Sequence, residues 1–169
     1  MVDKPLPDWQ IFILQVSLVA PLSVVPFWLL ISASLGAVLD LRHQSLPPDL
    51  KAVEDDCVAA AGLICSGVAA GALITSVAPI LRRSGQWMLA LGLPLSALLA
   101  PGYTTYMAHD DRPNHLLAIL DWICDPNIYP GYAYIAYSVG ARLAPSFSGL
   151  TQRFLGIWKI RASDHGSEL

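Results

Sequence analysis

The chain reads as an all-α integral membrane protein, a four-transmembrane-helix bundle, and three observations predict this. Residues 11–39 carry no charge over 29 positions and residues 57–81 none over 25, each beyond the roughly 20 residues a helix needs to cross about 30 Å of hydrocarbon. Only 14% of the 169 residues are charged against 54% hydrophobic, with a mean hydropathy of +0.52, whereas soluble domains carry about 25% charged residues. Finally, Lys and Arg fall unevenly on the two sides that four crossings would create.

Length fits one domain. Residues 1–147 read as the transmembrane domain, with spans at about 11–39, 57–81, 87–107 and 115–141, and 148–169 as a short amphipathic interfacial helix followed by a disordered tail. The first run is too long for the roughly 7–15-residue apolar core of a signal peptide, although ISASLGA has the small residues that precede a cleavage site. The third span opens on Trp87, an aromatic residue favoured at membrane boundaries. The fourth holds LDWICDPNIYPGYAYIAY, with two aspartates and four tyrosines, and Pro126 and Pro130 interrupt it.

With the N-terminus inside, Lys4, Arg82, Arg83, Arg142, Arg153, Lys159 and Arg161 are cytoplasmic and Arg42, Lys51 and Arg112 are outside. The positive-inside rule favours that threading, with both termini cytoplasmic. The implied location is a multi-pass position in a bacterial inner membrane or the endoplasmic reticulum. Beyond the fourth span, Leu150, Phe154, Ile157 and Trp158 share a helical face from which Arg153, Lys159 and Arg161 mostly depart, a pattern suited to a helix lying on the inner leaflet.

Inside the spans, small residues repeat every fourth position: Gly67 and Gly71; Gly62, Ser66 and Ala70; Gly92, Ser96 and Ala100. In lipid, helices associate by close packing across such residues. They suit packing within the chain, and the alternative is a homodimer or a membrane-protein partner docked through Gly67 and Gly71. Pro21, Pro26, Pro79 and Pro94 each remove a helical hydrogen bond. Ser23, Ser32, Ser34 and Thr75 are placed to satisfy the freed carbonyls.

Candidate chemistry gathers on the outer side. If 115–141 is one helix, Asp121 and Asp125 stand one turn apart on one face, beside Cys124. Carboxylates at membrane depth are functional suspects, because burying the charge costs at least about 2.5 kcal/mol. Asp40, Tyr103, Tyr106 and His109 end at the same level, and Tyr129 and Tyr132 follow below Asp125. Two adjacent carboxyls in such a place would hold one protonated and one ionised, a general acid beside a general base. The competing reading makes DWICDPNIYPGY a loop or half-buried outer helix, with the crossing starting near Ile128 and the acids in water.

The expected site is therefore Asp121, Asp125, Asp40, Tyr103 and Tyr129. The expected function is a cofactor-independent acid/base hydrolase, isomerase or cyclase for a lipophilic small molecule such as an epoxide, polyene or isoprenoid. The alternative is a non-catalytic membrane subunit, assembly factor or immunity-type protein. A net charge of −3 and the lack of a phosphate-loop or DNA-binding signature argue against nucleic acid. No H-x-x-x-H, H-E-x-x-H or C-x-x-C spacing occurs, so no metal or cofactor is expected. A disulfide between Cys57 and Cys124 stays open, since sequence does not place their Cα atoms within about 7 Å.

Overall fold

A computed structural model describes residues 6–42, 48–100, 102 and 115–145, and all regular structure among them is helical. The chain begins with α1, Asp8–Leu14, a π-helical turn Gln15–Val19, and α2, Ala20–Arg42, which run on as one continuous helix. Pro7 is extended and starts it, and Asp8 places a negative charge in the first turn, where the helix dipole favours one. The π turn comes just before Pro21. There the Ala20 N–H reaches back to the Gln15 carbonyl, so the chain widens by a residue where proline would otherwise leave the helix short of a donor.

After residues outside the described set, α3 spans Pro48–Val77. Proline suits its first turn. It ends ahead of Pro79, which disfavours helical backbone in the residue before it. A short α4, Ile80–Gln86, turns the chain into α5, Met88–Leu99, which stops at extended Ala100 before Pro101. The segments Asp8–Val38 and Leu50–Val77 are long and apolar enough to cross a membrane. Only 11% of the most apolar stretch of the first is buried, and Leu18, Leu22, Leu29 and Leu30 point outward. That surface suits lipid rather than the core of a soluble protein.

The fourth expected span, 115–141, is not one helix. It divides into α6, His115–Ile123, a 3-10 turn Pro126–Ile128, and α7, residues 129–145, which is about 25 Å long at 1.5 Å per residue. The break falls at Cys124 and Asp125 because Asp125 precedes proline and takes extended backbone, ψ 127°. Pro130 lies in the first turn of α7, where its missing N–H would have no helical partner anyway.

α7 is the centre of the molecule. A Cβ added to Gly67 of α3 would stand 2.6 Å from that of Ala136, and one added to Gly71 would run into the Tyr137 carbonyl. Gly140 answers from α7, packed onto the Val68 carbonyl. On the other flank a Cβ added to Gly92 of α5 would stand 2.6 Å from Ile135 Cγ1, and Gly131 lies against Ser96. Gly67 and Gly71 thus serve packing within the chain and are buried by it. The serine and threonine hydroxyls do not repair the proline gaps. Ser23, Ser34 and Thr75 bond to carbonyls of their own helices three or four residues back, at 2.6–3.2 Å, none of them a carbonyl that proline frees.

The elements alternate in direction. Asp8 pairs with Arg83 at 3.5 Å and Gly85 lies against Ala141, so the start of α1, the α4 turn and the end of α7 share one end. Cys57 and Cys124 meet near the other, joining the early turns of α3 to the α6–α7 break. Two further expectations, the end of the 87–107 span beyond Gly102 and the interfacial helix at 148–169, lie outside the described residues.

Candidate functional site

Four elements converge at the α6–α7 break. Tyr129, the first residue of α7, donates its hydroxyl to the Asp56 carbonyl of α3 at 3.0 Å. Its ring meets Trp28 of α2 edge to face, with centroids 5.8 Å apart and planes at 81°. Trp28 in turn donates its indole N–H to the Ala59 carbonyl at 2.7 Å, so both rings are fixed by a polar bond at one edge and packing at the other. Tyr132 donates back to the Ile123 carbonyl at 2.9 Å, tying the end of α6 to α7 across the break.

Below these rings lies a groove of about 320 Å³ between α2 and α7. Val24, Val25 and Leu63 form its apolar wall, and Trp28, Tyr129 and Tyr134 its aromatic one. The polar atoms of those aromatics are all committed, for the Tyr134 hydroxyl donates to the Val16 carbonyl at 3.1 Å. The groove therefore suits an oily molecule. Its upper edge is Pro126, directly after Asp125.

Carboxylates gather at that edge. Asp56, the last charged residue before the uncharged part of α3, is half-buried, and its carboxyl is held above the usual carboxylate range by burial and then by the negative charges of Asp121, Asp125 and Asp55. Asp125 accepts the Asn127 N–H at 2.8 Å and so caps the 3-10 turn. It does not continue the helical face of Asp121, because the helix has ended. These acids do not close into a metal-binding set among the described residues. Exposed Leu116, Leu120 and Ile123 of α6 recur at helical spacing while Ala118 is buried, so α6 presents an apolar stripe outward and packs its other side against α3.

Of the residues the sequence singles out, the structure gathers Asp121, Asp125 and Tyr129 at this break. Asp40 lies near the end of α2 with its side chain outside the described residues, and Tyr103 lies outside them altogether. Asp56 and Trp28 are the additions. Asp56 follows from the cysteines, since pairing Cys57 with Cys124 places its neighbour beside Asp125. Trp28 carries no polar signal in the sequence, and only the folded chain brings it to Tyr129.

A second polar group is buried at the opposite end. Gln15, on the π turn, is fully buried and donates through Nε2 to the Leu81 carbonyl at 2.8 Å, and its side chain also engages the fully buried Tyr137 hydroxyl. A glutamine within an otherwise uncharged apolar run is the signal that marks it in the sequence. No protein-family model, curated protein or solved structure matches this chain.

Proposed function

We propose that this is a multi-pass membrane protein that takes a lipophilic small molecule into the groove between α2 and α7 and acts on it by acid/base chemistry at the carboxylates above. The observation that carries this reading is the adjacency of an apolar, aromatic-walled groove to Asp125, with Asp56 and Asp121 close enough to act electrostatically on one another. The threading places α1–α2, α3, α5 and α7 across the bilayer, with the α4 arginines inside and the carboxylates outside. It is supported by the alternation of element directions and by the charge distribution.

In this scheme Asp56, whose ionisation is opposed by burial and by its acidic neighbours, donates a proton to an epoxide oxygen or an alkene carbon at the mouth of the groove. Asp121 or Asp125 activates water or removes a proton, and the Trp28 and Tyr129 rings stabilise positive charge as it develops. No cofactor enters this chemistry. The first test is occupancy. Native mass spectrometry of the protein extracted in mild detergent should show a bound lipophilic molecule in the wild type that Leu63→Trp, which fills the groove, excludes. A wild type that comes away empty, with no lipophile recovered by solvent extraction, overturns the reading.

One observation favours the non-catalytic alternative. Every polar atom of the aromatic residues lining the groove is already bonded to backbone, so the groove itself offers grip without reactivity. A stoichiometric membrane-protein partner co-purifying with the chain, together with no turnover of an identified lipophile by the wild type, would decide for a membrane subunit.

A further inference from the structure

We infer that Cys57 and Cys124 form a disulfide-forming pair that clamps α3 to the α6–α7 break. Their sulfurs are 2.9 Å apart although 67 residues separate them in sequence, and both are free thiols. A bond of about 2.05 Å lies less than about 1 Å away from that separation. Cys57 is half-buried and Cys124 buried, so the first has the better access and the second is sheltered behind it. Cys65, about 12 Å further along α3 at 1.5 Å per residue, is exposed. In the proposed threading the pair lies on the outer side, where disulfides persist.

The reaction needs an oxidant, and a disulfide-bearing molecule, protein or small, supplies it. The Cys57 thiolate attacks one sulfur of the incoming disulfide, forming a mixed disulfide and releasing one thiolate. Cys124 then gives up its proton and attacks Cys57 Sγ, expelling the second thiolate. Two protein thiols are oxidised, one external disulfide is reduced to two thiols, and the protons pass to the departing sulfurs.

The clamp has a consequence for the candidate site. Asp56 adjoins Cys57 and Asp125 adjoins Cys124, so the bond would place both carboxyls in one covalent frame. It also closes the chain between α3 and α6 into a long loop, which disfavours the unfolded state.

The test uses the full chain in detergent, incubated with oxidised glutathione, denatured in SDS and treated with N-ethylmaleimide. Intact mass is expected to show one maleimide, on Cys65, and a chain lighter by two hydrogens, with three maleimides after reduction. Peptide mapping should join Cys57 to Cys124, and the apparent Tm should fall by several degrees on reduction in wild type and in Cys65→Ser alike. In Cys124→Ser, glutathione should remain on Cys57, because the resolving thiol is gone. Three maleimides on the oxidised wild type, a persistent glutathione adduct on it, or a different cysteine pair would each overturn the inference. Groove occupancy, read separately, would be untouched by such a failure.

Discussion

Gly67 of α3 and Ala136 of α7 approach so closely that a methyl group on the glycine would lie 2.6 Å from the alanine Cβ, with the Ala133 carbonyl at 3.2 Å. A neighbouring side chain cannot simply swing aside, because part of the obstacle is backbone. Gly67→Val should separate α3 from α7 and lower the thermal midpoint in detergent by many degrees, overpacking typically costing about 1–3 kcal/mol or more. Gly36→Ala is the control, since nothing lies within 4 Å of a Cβ there. It should leave the midpoint unchanged or raise it slightly, helix propensity favouring alanine by roughly 1 kcal/mol. Equal midpoints for the two variants would show that the α3–α7 seam does not hold the bundle.

Gln15 offers a different measure of the opposite end. Its amide ties the Leu81 carbonyl and the buried Tyr137 hydroxyl together. Gln15→Leu keeps most of the volume but leaves the Leu81 carbonyl and the Tyr137 hydroxyl without the amide, for which a loss of roughly 1–3 kcal/mol is expected. Gln15→Ala removes the bond and leaves a cavity, for which losses of roughly 2–5 kcal/mol are usual with large apolar residues. Unfolding of both variants in a denaturant series separates the two. A Gln15→Leu variant as stable as wild type would mean that the volume of this side chain, and not its amide, holds this end of the bundle.

Much of this architecture was legible in the sequence. Uncharged runs mark α2 and α3 because a long apolar helix has one obvious place to go, and the glycine spacing marks close packing without naming the partner. What stayed hidden was the role of α7. Its tyrosines and prolines make it the least apolar candidate, yet the bundle closes around it because Gly131, Ala136 and Gly140 let α3 and α5 approach. The helix break at Asp125 could be read from the proline that follows it, and the competing reading with a crossing near Ile128 comes closer to the structure than a single helix over 115–141. Asp56 was hidden for another reason. In sequence it is one of several acids before an apolar run, and only the Cys57–Cys124 approach separates it from the rest.

Asp56 also sets an expected pH dependence. Its folded-state pKa is raised above 3.8, by burial first and by Asp121, Asp125 and Asp55 after that, so the folded protein binds this proton more tightly than the unfolded chain. The resulting stabilisation is fully present below the unfolded value and is lost as pH rises through the raised one. At neutral pH, Asp56→Asn should therefore be slightly more stable than wild type, by less than about 1 kcal/mol once solvent screening is allowed for. The advantage should vanish near pH 4. The same substitution should abolish the proposed acid catalysis, so a gain in thermal midpoint accompanied by loss of turnover is the expected signature. A variant less stable than wild type at pH 7 would contradict the electrostatic account of the cluster.

The Trp28–Tyr129 pair divides the groove's packing from its polar ties. Tyr129→Phe keeps the ring and its edge-to-face contact but removes the hydroxyl bonded to the Asp56 carbonyl, for which the expected loss of stability is about 0.5–1.5 kcal/mol. The lipophile bound in detergent should remain, because the groove's apolar wall is intact. Trp28→Ala removes the largest wall residue and its bond to Ala59 together, and occupancy in native mass spectra should fall at least several-fold. If Tyr129→Phe empties the groove as thoroughly as Trp28→Ala, the ligand must be held by the phenol oxygen or by the helix geometry that it fixes. The chemistry would then have to be sought at the hydroxyl rather than at the carboxylates above it.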